Sequence, residues 1–298
     1  MPDAATKSSF LIPAAPGASL TITPESAGWT YCGLQVWRLG RGESRLLATG
    51  NEEFAVLPLE GSAVVEVDGE RYELEGRTSV FGRVTDWAYL PIEAEARLST
   101  VTGAELALAS ARAERRFSPA YVPATAVPVE IRGAGQATRQ VTNFLSPEGF
   151  AEADRLICVE VLTPEGNWSS YPPHKHDDTP DSPANNEEIY YFRVGRSGGT
   201  ATSDEGFALH RTYTADGSID ETVVVRDGDA FLVPSGYHGP CVAAPGYPLY
   251  YLNVMAGPNP QRTMAIVDDP AHAWIRRTWE EMPIDPRCPM TAANGPTG

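Results

Sequence analysis

Apolar and polar residues alternate over short stretches throughout the chain, and turn-forming residues separate those stretches. The clearest case is Ser62-Ala-Val-Val-Glu-Val-Asp-Gly-Glu-Arg-Tyr-Glu-Leu74, where two alternating runs flank Asp68-Gly69. An Asp-Gly pair supplies the positive φ angles of a tight hairpin, so the segment predicts two antiparallel strands. Similar runs at 29–39, 55–59, 87–91 and 105–109 recur at the close spacing of a sandwich or barrel. Residues of about 20 to 110 therefore predict one β-domain. From 112 to about 145 the pattern loosens into a connector with a strand or two. A second set of strands is predicted at 155–162, 188–194, 207–214, 221–225, 230–233 and 249–255. The expected organisation is all-β, with one domain over residues 1–125 and another over 126–298. Near the end, Asp268-Asp-Pro-Ala-His-Ala-Trp carries an Asp cap and an early Pro, predicting a helix that runs to about Met282-Pro283.

Composition supports many short strands, because 27 Gly and 26 Pro are dispersed through the 298 residues and form no low-complexity block. A net charge of −16 argues against nucleic acid and anionic membranes as partners, since phosphate binding needs clustered cations. No apolar run approaches the roughly 18 residues that span a bilayer, and no signal-peptide pattern opens the chain, so a cytoplasmic protein is expected. Cys32, Cys158, Cys241 and Cys288 form no CxxC pair, which leaves neither a disulfide framework nor a thiolate metal site indicated. Gly133-Ala-Gly135 lacks the third glycine and the following helix of a nucleotide loop.

All five histidines, His174, His176, His210, His238 and His272, lie in the second half. In His174-Lys175-His176, period-two alternation would send both imidazoles to one face of a strand, with Lys175 facing elsewhere. Glu188, Tyr190 and Phe192 would share one face of the next strand. His238 follows a strand and a Pro-x-Gly turn. Together His174, His176, Glu188 and His238 make a candidate divalent-metal site, one ion per chain; N and O donors of this kind suit Zn, Mn or Fe. His210 reads as a cross-strand or surface residue and His272 as structural.

In their order along the chain these residues resemble the cupin signatures G(x)5HxH(x)3–4E(x)6G and G(x)5PxG(x)2H. Glu188 to Gly195 fits the second half of the first signature, which selects Glu188 over Glu187 as a ligand. The chain departs from the pattern by seven residues before His174, eleven between His176 and Glu188, and one before His238. The insertion 177–186 is expected to act as a flap over the site. Pro-Pro-His-Lys-His-Asp, Glu-Glu-Ile-Tyr-Tyr-Phe, Val-Pro-Ser-Gly-Tyr-His and Tyr-Tyr-Leu-Asn-Val-Met-Ala-Gly-Pro together resemble the 5-deoxyglucuronate isomerase family of bacterial myo-inositol catabolism.

That resemblance implies a bicupin whose second barrel alone holds metal, and a metal-dependent conversion of 5-deoxy-D-glucuronate to 2-deoxy-5-keto-D-gluconate. The base for the carbon-bound proton is left open among Glu187, Asp177 and Tyr190. The substrate's carboxylate calls for a cation, and Arg211 is the candidate, with Tyr251 and Asn253 as further cavity residues. Two alternatives stand beside it: a cupin iron dioxygenase, which uses the same ligand set to activate oxygen, and a non-catalytic sugar-binding bicupin with a vestigial site, against which the intact ligand set weighs. Duplicated cupins often associate through sheet edges, so a homo-oligomer acting on a small sugar acid is expected.

Overall fold

A computed structural model describes residues 8–15, 17, 19–295 and 297. The Asp68-Gly69 hairpin forms as the sequence predicts. Both residues sit at positive φ, 51° and 84°, and join strands Glu52–Val67 and Glu70–Arg77. At 16 residues, Glu52–Val67 is much longer than its 55–59 nucleus suggested. It pairs with Trp87–Leu90 and Ala104–Arg112 along its first half and with Glu95–Ser99 and Glu70–Arg77 along its second. A register shift between Pro58 and Glu60 interrupts the ladder with Ala104–Arg112, and irregularities of this kind let one strand curl round a core. That core holds Trp37, Phe54, Val65, Leu74, Leu98 and Leu108.

The second half is a sandwich of two antiparallel sheets. One contains, in spatial order, Leu11–Ile12, Ala230–Val233, Glu187–Val194, Leu249–Ala256, Ile157–Thr163, Arg139–Leu145 and Val129–Arg132. The other runs Asp220–Val225, Ala208–Tyr213, Tyr237–Ala243, His174–Lys175 and Val267–Asp268, with Trp168–Ser169 also on Tyr237–Ala243. The chain passes from the first domain's sheet to the second's between Val122 and Val129. Leu11–Ile12, at the opposite end of the sequence, crosses over to the second domain's sheet.

Period-two alternation explains how the halves join. Along Glu187–Val194, Ile189 and Tyr191 enter a core shared with Leu34, Leu57, Trp87 and Phe144, whereas Tyr190 and Phe192 face the second sandwich's interior. Polar anchors fix this interface. The Glu53 carboxylate accepts from the backbone N–H groups of Asp154, Arg155 and Leu156, and buried Arg77 pairs with Glu160. The terminal helix is shorter than predicted. A turn over 269–273, in which Asp269 Oδ1 accepts from the Ala271 N–H, leads to an α-helix of only Ile275–Thr278 and a 3₁₀ turn, Trp279–Glu281. Its end before Met282-Pro283 agrees with the sequence signal.

Candidate metal centre and cavity

The register of the larger sheet assembles one inward face. Glu188 stands opposite Met255, Tyr190 opposite Asn253, and Phe192 opposite Tyr251. Across the next ladder Val159 faces Asn253, Val161 faces Tyr251, and Val141 faces Val161. From the opposing sheet, His174 pairs directly with His238, bringing their rings to 4.5 Å between centroids. The strand that carries His174 covers only His174–Lys175, so His176 lies just past its end.

Three of the four expected ligands converge tightly. Donor atoms of His176, Glu188 and His238 all lie within 4.8 Å of one another, and all three residues are buried. Glu188 Oε2 is 3.0 Å from His176 Nε2 and 3.2 Å from His238 Nε2. His174 stands just outside that triad, with its ring 6.5 Å from that of His176.

The hydrogen-bond pattern indicates what these atoms await. His174 Nδ1 is 3.1 Å from the Pro172 carbonyl and His176 Nδ1 is 3.1 Å from the Asn186 carbonyl. A carbonyl only accepts, so both Nδ1 atoms carry protons and the neutral rings present their Nε2 lone pairs inward. The 3.0 Å contact between His176 Nε2 and the Glu188 carboxylate therefore needs a proton or a cation between two acceptors. His238 Nε2 is buried without a hydrogen bond despite its nearness to Glu188. Asn253 Nδ2 donates to Glu188 Oε1 and fixes the carboxylate. Burial disfavours the charged form of all these groups. It holds the His174 and His238 rings below their usual pKa, helped at His174 by the neighbouring imidazoles. For Glu188 burial is outweighed by the His238 and His176 rings, which keep its carboxyl well below the carboxylate range. His176 goes the other way: against the cost of burial, Glu188 raises its pKa, so a proton stands between the two acceptors where a cation would. Imidazole nitrogens converging on an ionised carboxylate are the donor set of a divalent cation, and the residues present fit one.

The site opens on a cavity of about 580 Å³. His174, His176, Glu188, Tyr190, Tyr251 and Asn253 line it near the cluster. Arg132, Arg139, Arg276 and Trp279 line it elsewhere. Ser170 joins two of the rings, its Oγ lying 2.9 Å from Tyr190 Oη and 3.1 Å from Tyr251 Oη. The two tyrosine rings stack at 4.9 Å.

Other expected positions lie apart from this cavity. Arg211 is on the outer side, in a half-exposed bidentate pair with Asp220 and stacked on Tyr213. It borders a shallow apolar depression with Trp168, Leu209 and His272, because alternation along Ala208–Tyr213 turns His210 inward and Arg211 outward. Glu187 likewise points away from Glu188. Its carboxylate accepts from the N–H groups of Thr30 at 2.7 Å and of Tyr31 and Cys32 at 2.8 Å, so it is an interdomain anchor. Asp177 accepts from the Gly236 N–H and borders a second cavity of about 380 Å³ with Asn185 and Asn186 at the end of the insertion and Glu187 just beyond it. The insertion is tied down by Lys175 Nζ to Thr179 and Asp181, and by the Asn186 N–H to the His176 carbonyl. It flanks the far side of His176 and His238 and contributes Asn186 alone to the larger cavity. His210 takes the cross-strand place and not the surface one: it is fully buried opposite Cys241 on the neighbouring strand, with Nδ1 3.0 Å from Cys241 Sγ. Sequence reasoning missed Arg139, Ser170, Arg276 and Trp279. Of these only Arg139 carried a signal, its alternation with Val141 ahead of the second β-region.

Two antiparallel β-domains with, among the described residues, one inward-facing imidazole–carboxylate cluster, which lies in the second, define a bicupin. The KduI/IolB family pattern matches residues 10–275, and the chain belongs to that family. It is 43% identical over 263 residues to the 5-deoxy-glucuronate isomerase of Geobacillus thermodenitrificans strain NG80-2, covering 87% of this chain and 91% of the relative. The crystal structure of an IolB-like protein from Salmonella typhimurium LT2 superposes with a TM-score of 0.83 at 36% identity, covering 90% of this chain and 99% of that one. Bacillus subtilis oxalate decarboxylase, whose Mn(II) centres have been studied, shares the fold at a TM-score of 0.60 and 15% identity, over 89% of this chain and 81% of its own. Among the described residues no helix is long and apolar enough to cross a membrane.

Proposed function

We propose that this isomerase converts 5-deoxy-D-glucuronate to 2-deoxy-5-keto-D-gluconate, a cytoplasmic step of myo-inositol breakdown, with one divalent ion per chain. The reading rests first on the 43% identity to a 5-deoxy-glucuronate isomerase along 87% of the chain. The cavity suits the chemistry, because an aldose–ketose exchange moves a proton between adjacent carbons while charge builds on two neighbouring oxygens.

His174, His176, Glu188 and His238 are the residues that would hold the ion. When bound, it supplies Lewis-acid polarisation of a carbonyl and its neighbouring hydroxyl. Asn253 orients Glu188, and the carbonyls of Pro172 and Asn186 fix the tautomers of their histidines. Tyr190 keeps its proton, since burial and the nearby Glu188 push its phenol well above the usual value. With Ser170 and Tyr251 it forms a chain of hydroxyls along the cavity that can donate hydrogen bonds to the substrate oxygens on which charge builds. Valines at 141, 159 and 161 form an apolar floor that limits water around the reacting carbons.

The test is conversion of 5-deoxy-D-glucuronate by the metal-loaded protein, followed by carbon NMR. Loss of the aldehyde with gain of a ketone and a hydroxymethyl carbon is expected. No conversion with Mn, Zn or Fe refutes the reading, and oxygen uptake in place of isomerisation would make the protein a dioxygenase.

A further inference from the structure

A buried guanidinium inside the cavity has no acidic partner. Arg139 is 7% exposed, and among the described residues no carboxylate forms an ion pair with it. The two other arginines lining the cavity are neutralised, Arg132 by Glu130 at 2.9 Å and Arg276 by Asp268. Leaving a buried cation unpaired costs several kcal/mol in general, and a fold tolerates that where an anion is to be bound.

The guanidinium is also held in place. Nη1 donates to the Ala137 carbonyl at 3.0 Å, and the group lies 5.6 Å from the centre of the Trp279 ring. Arg276 approaches the same ring at 5.4 Å, so the C-terminal turn brings a second cation to this side of the cavity. Gly133 sits at φ +74°, and a Cβ there would lie 2.1 Å from the Ala137 oxygen and 2.7 Å from Arg139 Nη1. Glycine keeps the space the guanidinium occupies. Among the described residues nothing accepts from Nε or Nη2, and a planar fork of two N–H groups matches a carboxylate.

We propose that Arg139 is the residue that recognises the carboxylate of a sugar-acid substrate, setting the enzyme's preference for acids over neutral sugars. The inference rests on the isomerase reading and adds the specificity determinant in place of Arg211. It also accounts for the architecture, since imidazoles at one part of the cavity and a cation at another would hold a short chain by both ends.

The experiment compares wild type, Arg139→Met and Arg139→Lys on 5-deoxy-D-glucuronate and on 5-deoxy-D-glucose, which bears a primary alcohol in place of the carboxylate. Binding of the acid to the metal-stripped proteins is measured by calorimetry alongside. For Arg139→Met, KM and Kd for the acid should rise about 100-fold, with kcat and the KM for the alcohol within about threefold of wild type. Arg139→Lys should fall between, because it keeps the charge and loses the fork. Equal losses on acid and alcohol, or an unchanged KM for the acid, overturn the proposal. Arg139-dependent binding of the acid by a wild type that does not isomerise it defeats the isomerase reading alone. Failure of wild type to bind the acid defeats both.

Discussion

Glu187 and Glu188 are chemically alike, adjacent and opposite in orientation, so replacing each by Gln separates an interdomain anchor from a metal ligand. Glu187 receives three backbone N–H groups of the first domain, one on Oε1 and two on Oε2. A glutamine offers a single acceptor oxygen and turns an NH2 group toward the remaining donors. At least one charge-assisted bond is lost and the others weaken, at about 1.5–3 kcal/mol for each bond to a charged group. A loss of about 2–5 kcal/mol is therefore expected. With an unfolding entropy near 2.1 cal/mol/K per residue, the chain of 298 residues loses roughly 1.6 °C of Tm per kcal/mol, or about 3–8 °C. Calorimetry on the metal-free proteins measures this, and elemental analysis on the loaded ones gives occupancy. Glu187→Gln should lower Tm while keeping the ion. Glu188→Gln should lose the ion, because it removes the one carboxylate of the buried cluster. If Glu187→Gln strips the metal, or leaves Tm within about 1 °C of wild type, the assignment of faces is wrong.

Asn253→Ala removes the donor that orients Glu188 and should weaken metal affinity about 10- to 100-fold in a metal-buffer titration, without moving Arg139; unchanged affinity would remove Asn253 from the site. Burial holds the His210 ring near a pKa of about 3, against 6.5 in the unfolded chain. Below pH 6.5 the unfolded state takes up a proton that the folded state refuses, so this residue lowers stability by about 1.4 kcal/mol per pH unit, some 2 kcal/mol at pH 5. His174 and His238 act in the same direction, while His176, raised by Glu188 against the cost of burial, acts in the opposite one. His210→Phe isolates the first effect: its urea midpoint should fall less than wild type's between pH 7 and pH 5, and parallel curves would show that His210 is not held neutral.

The fold was legible wherever local chemistry decides it. Asp68-Gly69 specifies its own turn, and Glu188, Tyr190 and Phe192 share a face because a pleated strand allows nothing else. Ala230–Val233 appears within its predicted bounds. Strand Tyr237–Ala243 was missed, since His-Gly-Pro-Cys carries no alternating signal and the segment is held by its partners on either side. Arg211 was misplaced because the strand was recognised without knowing which of its faces is covered. The inward side of Ala208–Tyr213 belongs to His210, and only the opposing sheet could reveal that. Arg139 escaped because its meaning is a missing partner, which depends on residues far away in sequence. The terminal helix was overextended: an Asp cap and a Pro start a helix but say nothing of its length, and here it gives way to a 3₁₀ turn that brings Trp279 to the cavity.

The most direct test of the central claim is a stoichiometric metal titration of isomerase activity. Protein stripped with chelator and supplied with increasing Mn, Zn or Fe should regain turnover of 5-deoxy-D-glucuronate linearly and saturate at one ion per chain, with Glu188→Gln silent throughout. Full turnover by the stripped protein, or a plateau at two ions per chain, would contradict the account.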